Sequence, residues 1–93
     1  MKKDLTLGER MVRQKFNPSG AGNVNFAKQT FADTIDKLDA LHLEMLEKAE
    51  VIEDEEEKRL TIEEINNSMY YAKSYIQSAS MHTVFALTSI ETK

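Results

Sequence analysis

Apolar positions recur at steps of three and four over most of this chain, which is the period of an α-helix. Val24, Ala27, Phe31, Ile35 or Thr34, Leu38, Leu41 and Met45 form one such ladder. It predicts a helix that opens near the N-cap residue Asn23 and runs to about residue 50, with an extension to Lys58 also open. A second ladder is Ile62, Ile65, Met69, Ala72, Ile76, Ala79, Thr83, Ala86 and Ile90. Its start coincides with Thr61-Ile62-Glu63-Glu64, a capping-box spacing, and predicts a helix over about 61–90. A third, shorter strip is Leu7, Met11 and Val12 behind another capping box, Thr6 to Glu9. It predicts a helix over about 6–16, stopped by Asn17-Pro18.

Apart from Gly8, which lies in the first segment, glycine and proline fall where these ladders break. Pro18, Gly20 and Gly22 lie within residues 17–22, and none of either type follows Asn23. The expected fold is therefore all-α: one domain over residues 1–93, a short N-terminal helix, an Asn-Pro-Ser-Gly loop at 17–22, and two long helices paired as an antiparallel hairpin. A further stripe, Tyr71, Tyr75, Met81, Phe85 and Leu87, sits off the seam of the third helix. A widened core face explains it, and so does a subunit interface. A chain of 93 residues has little else to cover it, and small domains commonly recruit partner copies.

Composition narrows the function classes. There is no Cys, which excludes a disulfide scaffold and a thiolate metal site and is compatible with a reducing cytoplasm. The opening residues contain two lysines but no apolar h-region, and no apolar run approaches a membrane span, so neither a secretory signal nor a membrane anchor is expected. His42 and His82 have no partner His at helical spacing, and Glu56-Glu57 and Glu63-Glu64 are consecutive, so they point to different sides of a helix. No nucleophile elbow, Walker loop or dinucleotide fingerprint is present. The expectation is a binding protein rather than an enzyme, with no metal and no cofactor.

Charge is uneven. Residues 1–31 carry six bases against two acids, whereas residues 32–93 carry six against fourteen. A basic patch on an acidic body suits a small anion better than a long nucleic acid, which the acidic remainder would repel. The same pattern also fits an ordinary basic N-terminal arm. The segment Phe16-Asn17-Pro18-Ser19-Gly20 joins this basic region to a helix N-terminus, whose free N–H groups favour anions. Phe16 offers a stacking face, Arg10 and Arg13 offer charge, and Lys28 and Thr30 follow in the first two turns of the next helix.

Gly8-Glu9-Arg10-Met11-Val12-Arg13 followed by Phe16-Asn17-Pro18-Ser19-Gly20 resembles the opening of the phage anti-CBASS cyclic-oligonucleotide sponges of the second type. Lys28-Gln29-Thr30, Ile35-Asp36 and the C-terminal Ala79-Ser80-Met81-His82-Thr83-Val84-Phe85-Ala86-Leu87-Thr88 resemble later parts of the same family. The resemblance covers about two-thirds of the chain. It implies a homohexamer in the cytoplasm of an infected bacterial host, sequestering cyclic dinucleotide messengers of CBASS immunity without cleaving them. Related sponges also hold cyclic trinucleotides at a separate site. The resemblance gives base stacking to Phe16 and phosphate contacts to Lys28 and Thr30, with Arg10, Arg13, Asn17 and Ser19 as weaker carry-overs. Phe16 stands where Tyr is frequent, His82 and Phe85 where Trp and Lys are, and Asn67 where an Arg is expected. The competing expectation is a structural or protein-interaction hairpin that uses the Tyr71, Tyr75 and Phe85 stripe and has no nucleotide ligand.

Overall fold

The computed structural model of the chain describes residues 4–13 and 22–91. Three helices occur among them: α1 (Leu7–Met11), α2 (Gly22–Ala49) and α3 (Glu55–Glu91). The described residues contain no strand.

The capping box predicted for α1 is formed in both directions. The Glu9 amide donates to Thr6 Oγ1 at 3.1 Å, and the Thr6 amide donates to Glu9 Oε1 at 3.0 Å. The helix does not reach residue 16 as its sequence pattern suggested. It ends at Met11, because Val12 turns inward to 6% exposure and Arg13 takes a left-handed backbone with φ 55°. Such a conformation costs a non-glycine residue about 1–2 kcal/mol. Two long side chains from the hairpin offset it by claiming the freed carbonyls: Gln77 Nε2 donates to Met11 O at 2.8 Å and Lys28 Nζ to Arg13 O at 3.0 Å.

α3 starts six residues earlier than Thr61, which lies inside the helix. Asp54 competes successfully for the cap, accepting the Glu57 amide on Oδ1 at 2.9 Å. Glu55, Glu56 and Glu57 place negative charge in the first turn, where the helix dipole favours it. Arg59 then staples the next turn to Glu56 and Glu63 at 2.6 and 2.9 Å. These pairs are exposed, so solvent screening leaves each of them weak. Their consistency with the cap, rather than their strength, lets the helix begin early.

α2 and α3 pair along most of the chain, and α1 docks on α2. The core lies where all three meet: Val12, Ala32 and Ile35 are buried, with Leu7, Met11, Phe31 and Ile76 packed around them. Ile35 rather than Thr34 holds the core position; the Thr34 hydroxyl instead donates to the Thr30 carbonyl at 3.0 Å. Gly8 makes this docking possible. A Cβ there would stand 2.0 Å from the Ala32 carbonyl oxygen, so only glycine allows the two backbones so close. The Gly8 amide also donates to Asp36 Oδ1 at 2.8 Å.

The whole is a thin plate of 59 × 32 × 13 Å with a radius of gyration of 17.0 Å. A compact chain of this length would have a radius of about 12 Å. The 13 Å dimension is hardly more than one helix diameter, and among the described residues no second layer covers the plate. Leu41, Met45 and Ile90, which the ladders placed on the buried face, are accordingly exposed.

Candidate functional site

The docking of α1 creates a cleft of about 360 Å³ between the end of that helix and the part of the hairpin nearer its open end. Met11, Val12 and Arg13 form one side, Lys28 belongs to α2, and Gln77, Ser80, Met81, Val84 and Phe85 come from α3. Its walls are mostly apolar and its polar groups few, which is the usual make-up of a small-ligand site. Arg13 is exposed at the rim, while Lys28 is 5% exposed and reaches the Arg13 carbonyl from below. Burial, and then the positive charge of Arg13, hold the Lys28 amine below its ordinary pKa. Both effects disfavour its charge, and an anion in the cleft would oppose them by favouring the charged form.

Ser80 is 2% exposed. It lines the cleft, and among the described residues no buried polar side-chain atom is left unsatisfied. Gln77 uses its Nε2 for the Met11 carbonyl, which fixes the amide orientation and leaves Oε1 as the acceptor end.

The residues expected to form a site from sequence divide into three groups. Arg13 and Lys28 come together. Thr30 is not with them: it lies on the other side of α2, donates to the Phe26 carbonyl at 2.9 Å, and lines a second cleft with Asn23, Phe26, Ala27, Phe31, Thr83 and Leu87. The cause is helical geometry, since residues two apart face different directions. Arg10 is also elsewhere, its guanidinium donating to the Leu5 carbonyl at 3.2 Å. Phe16, Asn17 and Ser19 lie outside the described residues.

Gln77 and Ser80 were not among the expected residues. On sequence they are two ordinary polar residues of an amphipathic helix. The one signal was their spacing of three, which puts both on one face beside the seam residue Ile76.

A second polar group occurs further along the hairpin. Lys73, 8% exposed, donates to Asp39 Oδ1 at 2.6 Å and to His42 Nδ1 at 3.0 Å. His42 Nε2 then carries the proton and donates to Asn66 Oδ1 at 2.7 Å. His42 thus bridges α2 and α3. Among the described residues no three His, Cys, Asp or Glu converge as metal ligands, and no helix is long and apolar enough to cross a membrane.

The aromatic stripe of α3 does not fold into a wider core of this chain. Tyr71, Tyr75, Met81 and Phe85 are 54–72% exposed. Tyr70 and Phe26 add to the exposed apolar surface.

Comparison with known proteins gives no match to any protein family model, to any curated protein, or to any solved structure.

Proposed function

We propose that this protein binds a cyclic dinucleotide and holds it intact, acting as a phage-encoded sponge for messengers of CBASS immunity in the cytoplasm of the infected host. The observation that carries this reading is the meeting of Arg13 and Lys28 in one apolar-walled cleft. Two cations beside an apolar wall suit a ligand that is both phosphorylated and flat. A cleft of about 360 Å³ is at the low end of the range for drug-sized ligands, about 300–1,000 Å³. It suits one nucleotide, and the second half of the ligand would meet a second copy of the chain. The thin plate with exposed aromatics on α3 supports an oligomer, and the family resemblance makes it a hexamer. The likeness to sponges with a separate trinucleotide site extends the ligand class to cyclic trinucleotides.

Isothermal titration with cyclic di- and trinucleotides tests the reading. Binding should occur in the wild type, and Phe16→Ala should weaken it by roughly tenfold to a hundredfold, the loss of a base stack of about 1–3 kcal/mol. Arg13→Gln should weaken it while keeping the fold. No heat with any cyclic nucleotide, together with no material absorbing at 260 nm in the heat-released fraction, overturns the proposal.

The exposed stripe of Tyr71, Tyr75 and Phe85 favours a second reading, a helical hairpin that docks on another protein. That reading predicts no nucleotide affinity and tolerance of Lys28→Glu.

A further inference from the structure

Charge and shape in the cleft call for the same kind of guest, and one exposed ring of α3 supplies the surface such a guest needs. We infer that Phe85 is a stacking platform for a base of the bound nucleotide, with Met81 beside it as part of the same wall. The inference rests on the sequestration reading above. It gives that cleft a base-binding residue on α3, separate from the stacking that the resemblance assigns to Phe16.

Phe85 is 60% exposed, and Met81, one turn before it, is 54% exposed. Both line the cleft, so these apolar side chains border a concavity rather than lie on a flat surface. The described residues that line the cleft include the basic Arg13 and Lys28 and no carboxylate, although 16 of the 93 residues of the chain are acidic. The resulting positive field acts at a distance and asks no hydrogen bond of either side chain. A purely apolar guest would leave that field unanswered, and a small inorganic anion would leave Phe85 and Met81 in water. A flat ring joined to a phosphate answers both.

The phenyl ring suits this use because only two torsions position it, so little freedom is lost when a base lies on it. Met81 and Phe85 are four residues apart and therefore neighbours on one face of α3. A thioether beside an aromatic ring favours its edge, which leaves a face for the base. Every base has such a face, so this contact supplies affinity for a nucleotide rather than a choice among bases.

The test is calorimetric titration of the whole protein with cyclic di-AMP, cyclic di-GMP and cyclic GMP-AMP, in the wild type and in three variants of Phe85. Phe85→Ala should weaken binding by roughly tenfold to a hundredfold. Phe85→Leu keeps apolar bulk without a flat face and should stay about twofold to tenfold weaker than the wild type. Phe85→Trp should retain wild-type affinity. The chain has no other Trp, so quenching of its emission, saturating at the calorimetric stoichiometry, reports the stack directly. Circular dichroism and sedimentation velocity without ligand should show wild-type helix content and mass in all three, because the side chain is exposed. Wild-type affinity in Phe85→Leu, or full binding by Phe85→Trp without quenching, overturns the inference and leaves the sequestration reading standing. A loss of mass together with a loss of affinity in Phe85→Ala assigns the ring to a contact between copies and also overturns it. Binding of the wild type to none of the three, nor to any other cyclic nucleotide, overturns both.

Discussion

Gly8→Ala gives opposite answers depending on whether α1 is a free helix or a docked one. Alanine stabilises an exposed helix by about 1 kcal/mol relative to glycine. In the docked arrangement the new Cβ would sit 2.0 Å from the Ala32 carbonyl oxygen, 2.7 Å from its carbon and 2.9 Å from its Cα. All three atoms belong to the α2 backbone and cannot swing aside. An ordinary carbon–oxygen contact is about 3.3 Å, so α1 must lift by about 1.3 Å. A gap of that size forfeits more than half of the packing between the surfaces. Val12 alone stands to lose about 1 kcal/mol of burial, half of the usual value for that side chain. The Gly8 amide bond to Asp36, now 2.8 Å, stretches past useful length and costs about 1.5–3 kcal/mol more. After the propensity gain is subtracted, the net is a destabilisation of about 1.5–3 kcal/mol, or about 6–24 °C in Tm for a chain of this size. Urea denaturation followed by far-UV circular dichroism at fixed protein concentration measures it, with hydrogen exchange of the Val12 amide reporting on α1 itself. Gly22→Ala is the control: among the described residues nothing lies within 4 Å of its Cβ, so it should be neutral or slightly stabilising. If Gly8→Ala matched or exceeded the wild type in stability, the close docking of α1 on Ala32 would be refuted, and with it the cleft.

Other expectations follow from single interactions. Because Lys28 has a pKa below its ordinary 10.5 in the folded chain, the unfolded chain binds more protons between the lowered value and 10.5. Stability should therefore rise with pH across that window relative to Lys28→Met, and urea midpoints at a series of alkaline pH values check the sign. An anionic ligand works in reverse, raising the Lys28 pKa, so its affinity should fall as pH climbs through the lowered value; titration in two buffers of different ionisation heat should show proton uptake on binding. Asp39→Ala leaves the Lys73 ammonium, 8% exposed, with only His42, and should cost about 1–3 kcal/mol by thermal melting, whereas the double change Asp39→Ala with Lys73→Met should recover part of the loss. Charging the exposed stripe with Tyr71→Lys and Tyr75→Lys should lower the mass seen by sedimentation velocity without loss of helix; an unchanged mass excludes that stripe as the contact between copies.

Element type was legible from periodicity, because both long ladders are real faces of α2 and α3. Boundaries were legible only where the deciding contacts are local. The Thr6–Glu9 box is local and formed as read. The end of α1 is not local: Arg13 turns left-handed because Val12 is drawn into the core and because Lys28 and Gln77 reach its last carbonyls from 15 and 66 residues away. The start of α3 was misjudged for another reason. Two capping signals compete, at Asp54 and Thr61, and nothing between them breaks a helix, so the earlier one prevails. In the site, Arg13 and Lys28 were legible as the cations flanking a turn. Thr30 was misplaced because nearness in sequence was taken for a shared face. Gln77 and Ser80 could not be singled out, since only the register of the hairpin against α1 brings them to the cleft.

The shape of the chain joins assembly to ligand. A plate 13 Å thick has no depth in which to enclose a bulky guest, and its cleft holds about 360 Å³. A cyclic dinucleotide has two bases and two phosphates related by approximate two-fold symmetry. A two-fold interface between copies presents the same patch twice, so two clefts facing one another would offer each half of the ligand its own Arg13 and Lys28. On this proposal the ligand binds only assembled copies, and mass action requires that it also drive assembly. The apparent Kd should then weaken as the protein is diluted through the range where sedimentation shows the oligomer dissociating, and added cyclic dinucleotide should move that range to lower concentration. An affinity that stays constant through the dissociation range means that one chain encloses the whole ligand, and the half-site arrangement is wrong.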